Sequence, residues 1–581
     1  MLKRLESARR QGLLGDLDLH FARFIAEHGG SSPPVMLAAA LLSQLCSSGH
    51  VCLDLDALAE QPVLDGSISA PPLAEWRAAL EAHPACGDAE AYTPLVLEES
   101  RLYLRRYFDY ECAVAAAWQG HAAIPLDPAL EAPLETLFPR TADDPMRDQR
   151  AAARAALMHP RVLISGGPGT GKTTTLASIL ALLIGQAQAA LTKAPGLFDP
   201  PAQALKILLA APTGKAAARM QDAIRAAKAR LPLSEAIRDS IPETAQTLHR
   251  LLGARPQGGG TVWRHDAAHP LACDVLVVDE ASMIDLALMA RLLAAMPPDA
   301  RLILLGDRDQ LASVDAGAVF ADLCAAGAAT LNVSFRFDAA SGIGRLATLL
   351  REGCADAAMQ LLANPPPDVR WSPHAARSTV VAHATAAYAG FIAALQSPQP
   401  PDVFERFGAF RLLTPLRQGP LGVASLNAEI ERALQAQGAI PPRSHWYVGK
   451  PVMIAANDYA LRLCNGDIGI CVIDPACGEL RIAFPGDEGL RLLAPARLPT
   501  HETAWAMTVH KSQGSEFDQV ALVLPDEPSE LVTRELVYTA VTRARQSVTV
   551  WAAEGSFTAA CQRSIVRHSG LTARLQRDGK V

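Results

Sequence analysis

Hydrophobic and polar positions follow three different rhythms along this chain. From Leu17 to about Ala123 apolar residues recur every three or four positions, as in Phe21-Ala22-Arg23-Phe24-Ile25-Ala26 and Met36 to Leu45. That period predicts helices with one buried face. Five short apolar runs, Val162–Ile164, Ile207–Ala210, Val275–Val278, Leu302–Leu305 and Val520–Leu524, predict strands buried on both faces, as in a parallel sheet. From Gly449 to about Pro499 short runs such as Ile468–Ile473 are broken by Gly466, Asp467, Pro475, Gly478, Pro485 and Gly486, which predicts a small antiparallel β module. Pro125, Pro128, Pro133, Pro139 and Pro145 punctuate a linker, after which Asp148-Gln149-Arg150 opens an alanine-rich helix. The stretch from Arg255 through Gly258, Gly259 and Gly260 to Arg264 reads equally as a β-hairpin or as a surface loop.

Composition narrows the class. The chain has 581 residues, 50% of them hydrophobic and 19% charged, which is globular and too long for one core. A net charge of −7 argues against a strongly basic nucleic-acid binder, and 5% aromatic residues leave few rings for stacking on bases. Any nucleic-acid groove is therefore local or shared with a partner. Eleven scattered cysteines without a Cys-x-x-Cys pair support neither a zinc site nor a disulfide framework. A charged Met1–Asp16 segment and apolar runs shorter than ~20 residues predict a cytoplasmic protein without a membrane partner.

Chemistry gathers at the ends of the predicted strands. After Val162–Ile164 comes Ser165-Gly166-Gly167-Pro168-Gly169-Thr170-Gly171-Lys172-Thr173-Thr174, followed by a helical pattern. Gly166, then four residues, then Gly171-Lys172-Thr173 is the spacing of a nucleotide-triphosphate loop, in which backbone N–H groups at a helix N-terminus close around phosphate oxygens. Lys172 is placed to reach the β- and γ-phosphates, and the Thr173 hydroxyl to ligate Mg²⁺. The strand at 275–278 ends in Asp279-Glu280, a pair suited to supporting the metal shell and to orienting the attacking water. The strand at 302–305 ends in Gly306-Asp307-Arg308-Asp309-Gln310, where Gln310 is placed to sense the γ-phosphate. Thr213, in Ala211-Pro212-Thr213-Gly214-Lys215, is of the kind that holds a polymer phosphate at a helix start. Gln149, one helix upstream of the loop, is placed to read an adenine edge, a role an ordinary exposed glutamine also mimics. Upstream of Ala123 no catalytic constellation is found, and Asp54, Glu98 and Glu99 read as solvated positions.

Seven motifs in order resemble superfamily 1 helicases. They are Gly-Gly-Pro-Gly-Thr-Gly-Lys-Thr (166–173), Ala-Pro-Thr-Gly-Lys-Ala-Ala (211–217), Thr-Leu-His-Arg-Leu-Leu-Gly (247–253), Val-Val-Asp-Glu-Ala-Ser-Met (277–283), Gly-Asp-Arg-Asp-Gln-Leu-Ala-Ser-Val (306–314), Thr-Val-His-Lys-Ser-Gln-Gly-Ser-Glu-Phe (508–517) and Val-Tyr-Thr-Ala-Val-Thr-Arg-Ala-Arg (537–545). Within that superfamily the resemblance is closest to the RecD type, the α subunits of bacterial exodeoxyribonuclease V. It implies an α/β fold: a helical partner-docking domain at 1–123, a linker at 124–147, a first RecA-like motor domain at 148–340 with a hairpin near 253–272, and a second at 341–581 carrying an SH3-like insert near 445–500.

The same resemblance implies ATP and Mg²⁺ as cofactors and 5′-to-3′ translocation on single-stranded DNA from duplex ends. It also implies a heterotrimer with RecB- and RecC-like subunits, one of which carries the nuclease. Carried over by residue, Gln149 contacts adenine, the loop 166–174 binds phosphates, Asp279 joins Thr173 at the metal, and Lys172, Glu280 and Gln310 keep the roles above. Arg336 and Arg543 are implied as arginines supplied from the second motor domain, and Thr213, Thr508, His510 and Ser512 as positions near the DNA backbone. Two other readings fit the motif chemistry: a nucleotide-switched assembly subunit, and an RNA helicase.

Overall fold

The computed structural model describes residues 1–192, 204–257, 260–337, 341–374, 376–395, 402–458, 460–486 and 489–577. Two parallel sheets organise it. In the first, the strand order is Ala329–Leu331, Arg161–Gly166, Arg301–Gly306, Val275–Val278, Ile207–Ala211 and Ala245–Thr247, every pairing parallel. Four of these strands are the apolar runs that periodicity predicts. Burial on both faces explains their composition: Val275 to Val278 are all within 1% of full burial. Because all run the same way, their polar carboxyl ends share one edge, where ligands of open α/β sheets bind.

The second sheet is also wholly parallel, in the order Val369–Ser372, Ala544–Trp551, Phe517–Val523, Phe410–Thr414 and Ala506–Thr508. Between its strands the chain inserts a five-stranded antiparallel sheet, ordered Gly489–Leu493, Leu480–Gly486, Ile468–Ile473, Pro451–Ile454 and His501–Thr503. Val452, Ile454, Cys471, Ile482 and Phe484 give this insert a small core of its own. A two-stranded hairpin pairs Arg255–Gln257 with Gly260–Val262. Gly258 and Gly259, expected at its turn, lie outside the described residues, as does the junction at 338–340.

The N-terminal region holds the predicted helices, among them Asp16–Gly29, Pro33–Ser47 and Arg105–Trp118. It adds a four-stranded sheet of Cys52–Asp54, Arg101–Leu104, Leu95–Glu98 and Cys86–Gly87, whose strands are too short to show a period in the sequence. The segment 124–147 is not a bare linker. It forms the helix Glu131–Leu137, and Leu130, Leu134 and Phe138 pack into the first motor core.

The C-terminal tail also departs from expectation. Helix Leu571–Arg577 leaves the second motor and packs Leu571 and Leu575 into a core shared by the N-terminal helix Arg105–Trp118 and the first-motor helix Val319–Ala326. Glu98, expected to be solvated, pairs there with Arg574 at 2.6 Å, and buried Glu111 accepts from Ser569, Gly570 and Arg574. Helix Lys172–Thr192 is long and apolar enough to cross a membrane by length and hydropathy, yet its residues Leu176 to Ile184 are buried in the first motor core.

Candidate functional site

The loop between strand Arg161–Gly166 and helix Lys172–Thr192 turns on Gly169 and Gly171, both left-handed at φ +80° and +81°. A side chain at either would strain the backbone, and at 169 it would also collide with Arg336. The Lys172 ammonium folds back over the loop and donates to the carbonyls of Gly166 (2.5 Å) and Gly167 (3.2 Å). The Thr170 hydroxyl donates to the Gly167 carbonyl at 2.9 Å, and Gln149 donates to the Thr170 carbonyl at 3.1 Å. Gln149 Oε1 is buried without a partner, an acceptor held beside the loop.

Loop residues 167–174 line a cavity of about 250 Å³. Asp279 and Glu280 form its wall from the end of strand Val275–Val278, separated from the phosphate-loop strand by Arg301–Gly306. Asp279 is pushed up to about 6 by burial and by the adjacent Glu280 charge, with Lys172 opposing the rise. Glu280 is a non-glycine residue in the left-handed region, at φ 53° and ψ 39°. Backbone strain of this kind, on the order of 1–3 kcal/mol, persists only where surroundings impose it.

The second sheet reaches the same cavity. Buried Arg543 donates to Gln310 Oε1 at 2.8 Å, and Gln310 Nε2 donates to Asp307 at 2.9 Å. Asp307 also accepts from the Tyr538 hydroxyl at 3.0 Å, and burial together with that carboxylate pushes the Tyr538 phenol well up. Leu311 is held at both backbone groups, its N–H by Thr539 and its carbonyl by Gln513.

Arg336 requires a correction. It follows the edge strand Ala329–Leu331 of the first sheet, and the neighbouring Phe335 N–H donates to Gly169 at 2.8 Å. Only its guanidinium meets the second motor, at Glu516 (2.7 Å). The arginine delivered by the second motor is Arg543.

Among the residues expected near DNA, Thr213 caps helix Gly214–Arg230 by accepting from the Ala216 N–H. Thr508 is nearly buried and caps the turn at Lys511. The two motifs face each other, since a Cβ on Gly514 would lie 3.6 Å from Ala216. His510 is exposed as a residue, while burial of its ring, with Arg417 and Arg567 nearby, lowers its pKa. Ser512 is the second correction: it is fully buried and its hydroxyl donates to the Val509 carbonyl, so its side chain offers nothing to a polymer. Sequence reasoning passed over Arg219, Glu516 and Tyr538. Glu516 and Tyr538 stand inside two of the motifs quoted above, and Arg219 lies one helical turn beyond Lys215 on the same face.

A phosphate loop on one parallel sheet, beside which Gln310, Asp307 and Leu311 are held by Arg543, Tyr538 and Thr539 from a second, is the arrangement of a two-motor P-loop ATPase of the superfamily 1 helicase class. Comparison with known proteins agrees. Residues 10–103 match the N-terminal domain of the RecBCD enzyme subunit RecD, residues 149–316 an AAA domain, and residues 503–551 a UvrD-like helicase C-terminal domain. The RecBCD enzyme subunit RecD of Mycolicibacterium smegmatis is 41% identical across 98% of both chains. That of Haemophilus influenzae is 34% identical across 99% of this chain and all of its own length. Among solved structures, the Pif1 helicase from Bacteroides in complex with ADP-AlF3 and ssDNA is 16% identical, with a TM-score of 0.37 over 72% of this chain and 93% of that one. The chain belongs to the RecD family of RecBCD enzyme subunits.

Proposed function

We propose that this chain is the ATP-driven single-stranded-DNA translocase of a RecBCD-type helicase–nuclease, acting in the cytoplasm on broken duplex ends in repair and recombination. Its polarity is the 5′-to-3′ direction that the family resemblance implies, and the nuclease belongs to another chain. The observation that carries the reading is the Arg543–Gln310 hydrogen bond of 2.8 Å, which puts a charge from one sheet on the phosphate-sensing residue of the other. In this reading Lys172 neutralises the β- and γ-phosphates, Glu280 orients the attacking water, and Arg336 and Arg543 stabilise charge on the transferred phosphoryl group.

The site suits Mg²⁺. Asp279 and Thr173 offer only hard oxygen donors, and Asp279 is buried beside a second carboxylate, a position short of positive charge. Such an ion, when bound, supplies charge neutralisation to the phosphates. Thr213, Thr508 and His510 line up along the facing segments that grip the DNA backbone, with Ser512 serving the turn that shapes them. The docking surface for the RecB- and RecC-like partners is the N-terminal domain, where Leu17, Phe24 and Tyr92 stand exposed.

The test is ATP turnover of the purified chain with and without single-stranded DNA, beside Lys172→Gln. Strong DNA stimulation that vanishes in the variant supports the motor. Substantial DNA-stimulated turnover in Lys172→Gln would refute the site.

A further inference from the structure

Glu516 is the meeting point of three arginines. Its Oε1 accepts from Arg219 at 2.5 Å and from Arg336 at 2.7 Å, and its Oε2 from Arg545 at 3.2 Å. The carboxylate is 9% exposed and belongs to the wall of the 250 Å³ cavity that the phosphate loop also lines. Two of its arginines, Arg219 and Arg336, stand on that wall too, whereas Arg545 does not. One carboxylate cannot satisfy two guanidiniums, each with five donors. Arg336 Nη1 is buried without any acceptor.

Arg219 is close enough to Asp279 and Glu280 to feel both charges, and Arg543 in turn feels Arg219. It lines the same cavity as that carboxylate pair, Arg336 and Arg543, the space in which the attacked phosphate would lie. An ion pair that served only the fold would have no reason to face the cavity.

We infer that Arg219 is a third arginine directed at the terminal phosphate of the nucleotide, and that Glu516 is the carboxylate that competes with this phosphate for Arg219 and Arg336. The inference rests on the nucleotide-site reading above and adds a residue and an exchange to it. A phosphoryl oxygen carries more charge than a carboxylate oxygen and offers acceptors to both guanidiniums at once. Release from Glu516, which the second motor carries, removes one charged tie between that motor and helix Gly214–Arg230. The same helix begins at Thr213, so the exchange also reaches the segment proposed to hold DNA.

The experiment is equilibrium binding of ADP and of the non-hydrolysable analogue AMP-PNP to the full chain. Because only AMP-PNP has a γ-phosphate, ADP affinity reports an intact fold and loop. Arg219→Ala is expected to weaken AMP-PNP about tenfold or more while ADP stays within about twofold. Arg219→Lys recovers part of the loss, since it keeps the charge but not the fork. Glu516→Gln is expected to tighten AMP-PNP relative to ADP, because the competitor is gone. An Arg219→Ala variant that changes both ligands alike, or neither, overturns the inference. So does a Glu516→Gln variant with an unchanged ratio, and that variant decides alone should Arg219→Ala not fold. Lys172→Gln separates the two readings: if it leaves both affinities intact, the phosphate loop itself has been misassigned.

Discussion

Replacing Glu111 by alanine should release the C-terminal tail from the body of the protein. The Glu111 carboxylate is fully buried and receives the Ser569 hydroxyl at 2.7 Å, the Gly570 N–H at 2.9 Å and Arg574 Nε at 3.2 Å. Removing one member of a buried ion pair costs about 3–5 kcal/mol, because the other charge is left without compensation. Two features place this site at the low end. Arg574 keeps Glu98, which it holds through both terminal nitrogens at 2.9 and 2.6 Å. Asp322, which burial pushes up to about 6 with a further contribution from the Glu111 charge, is relieved when that charge goes. A loss of about 3 kcal/mol multiplies the opening constant of the tail by roughly 10². Hydrogen exchange read by mass spectrometry on the full chain should show 570–577 exchanging about a hundredfold faster, with helix Lys172–Thr192 unchanged as the internal control. Glu111→Gln, which can still accept hydrogen bonds, should fall between. Exchange in 570–577 that stays within about threefold of the parent would refute the reasoning and leave the attachment to Leu571, Leu575 and the Arg574–Glu98 pair.

Gly169→Ala should abolish nucleotide binding, because the residue sits at φ +80° and its new Cβ would lie 2.3 Å from the Arg336 Cβ; AMP-PNP affinity reads this directly. Tyr538→Phe removes a hydrogen bond to a charged partner across the two motors, worth about 1.5–3 kcal/mol, and should cut DNA-stimulated ATP turnover roughly tenfold without changing ADP affinity. His50 is lowered to about 4 by burial and by the nearby His568 and Arg567. Its native pKa lies below the ordinary value of 6.5, so the unfolded chain binds more protons between them, and stability falls as pH drops through that window. The melting temperature should decline from pH 6.5 toward 4 more steeply in the parent than in His50→Gln.

What could be read in advance was what local physics decides. Val275–Val278 had to be a buried strand because four consecutive apolar β-branched or leucine residues fit neither an amphipathic helix nor a loop. The phosphate loop was legible because two glycines, a lysine and a threonine at fixed spacing do a job no other arrangement does. The misses are tertiary. Cys86–Gly87 is two residues long and has no period to detect. Glu98 and Arg574 are 476 positions apart, so nothing local distinguishes Glu98 from a solvated glutamate. Ser512 stands two residues from exposed His510, and only packing decides that its hydroxyl turns inward to Val509. Arg219 sits on an alanine-rich helix with other basic residues, where an arginine ordinarily faces water.

The two motors share little apolar surface, and that fixes how the cleft can work. Strand and helix residues of the first sheet fill one set of cores and those of the second another; among the described residues Leu311, from the loop after Gln310, and Phe337 pack into the second core, and Leu571 and Leu575 of the tail into the first. Thr539 and Gln513 take both backbone groups of Leu311, so the sensing loop moves with the second motor while Gly306 behind it stays in the first sheet. A few residues further on, Arg567 holds the carbonyls of Ser313, Asp315 and Gly317, and the Gly317 N–H donates to Gly49 of the N-terminal domain. One loop thus touches the nucleotide cavity, the second motor and the N-terminal domain. Polar pairs also cross the cleft among the described residues, Arg543–Gln310, Tyr538–Asp307 and Glu516 with Arg219 and Arg336. Each is worth about 0.5–3 kcal/mol, so the four together amount to roughly 2–12 kcal/mol, the same order as the energy that moves the cleft. Shifting a two-state cleft from mostly open to mostly closed takes about 5.5 kcal/mol of differential binding. Charge placed at the phosphate loop, where four cations already line the wall, can supply energy on that scale. An interface sealed by a continuous apolar core would not yield to it.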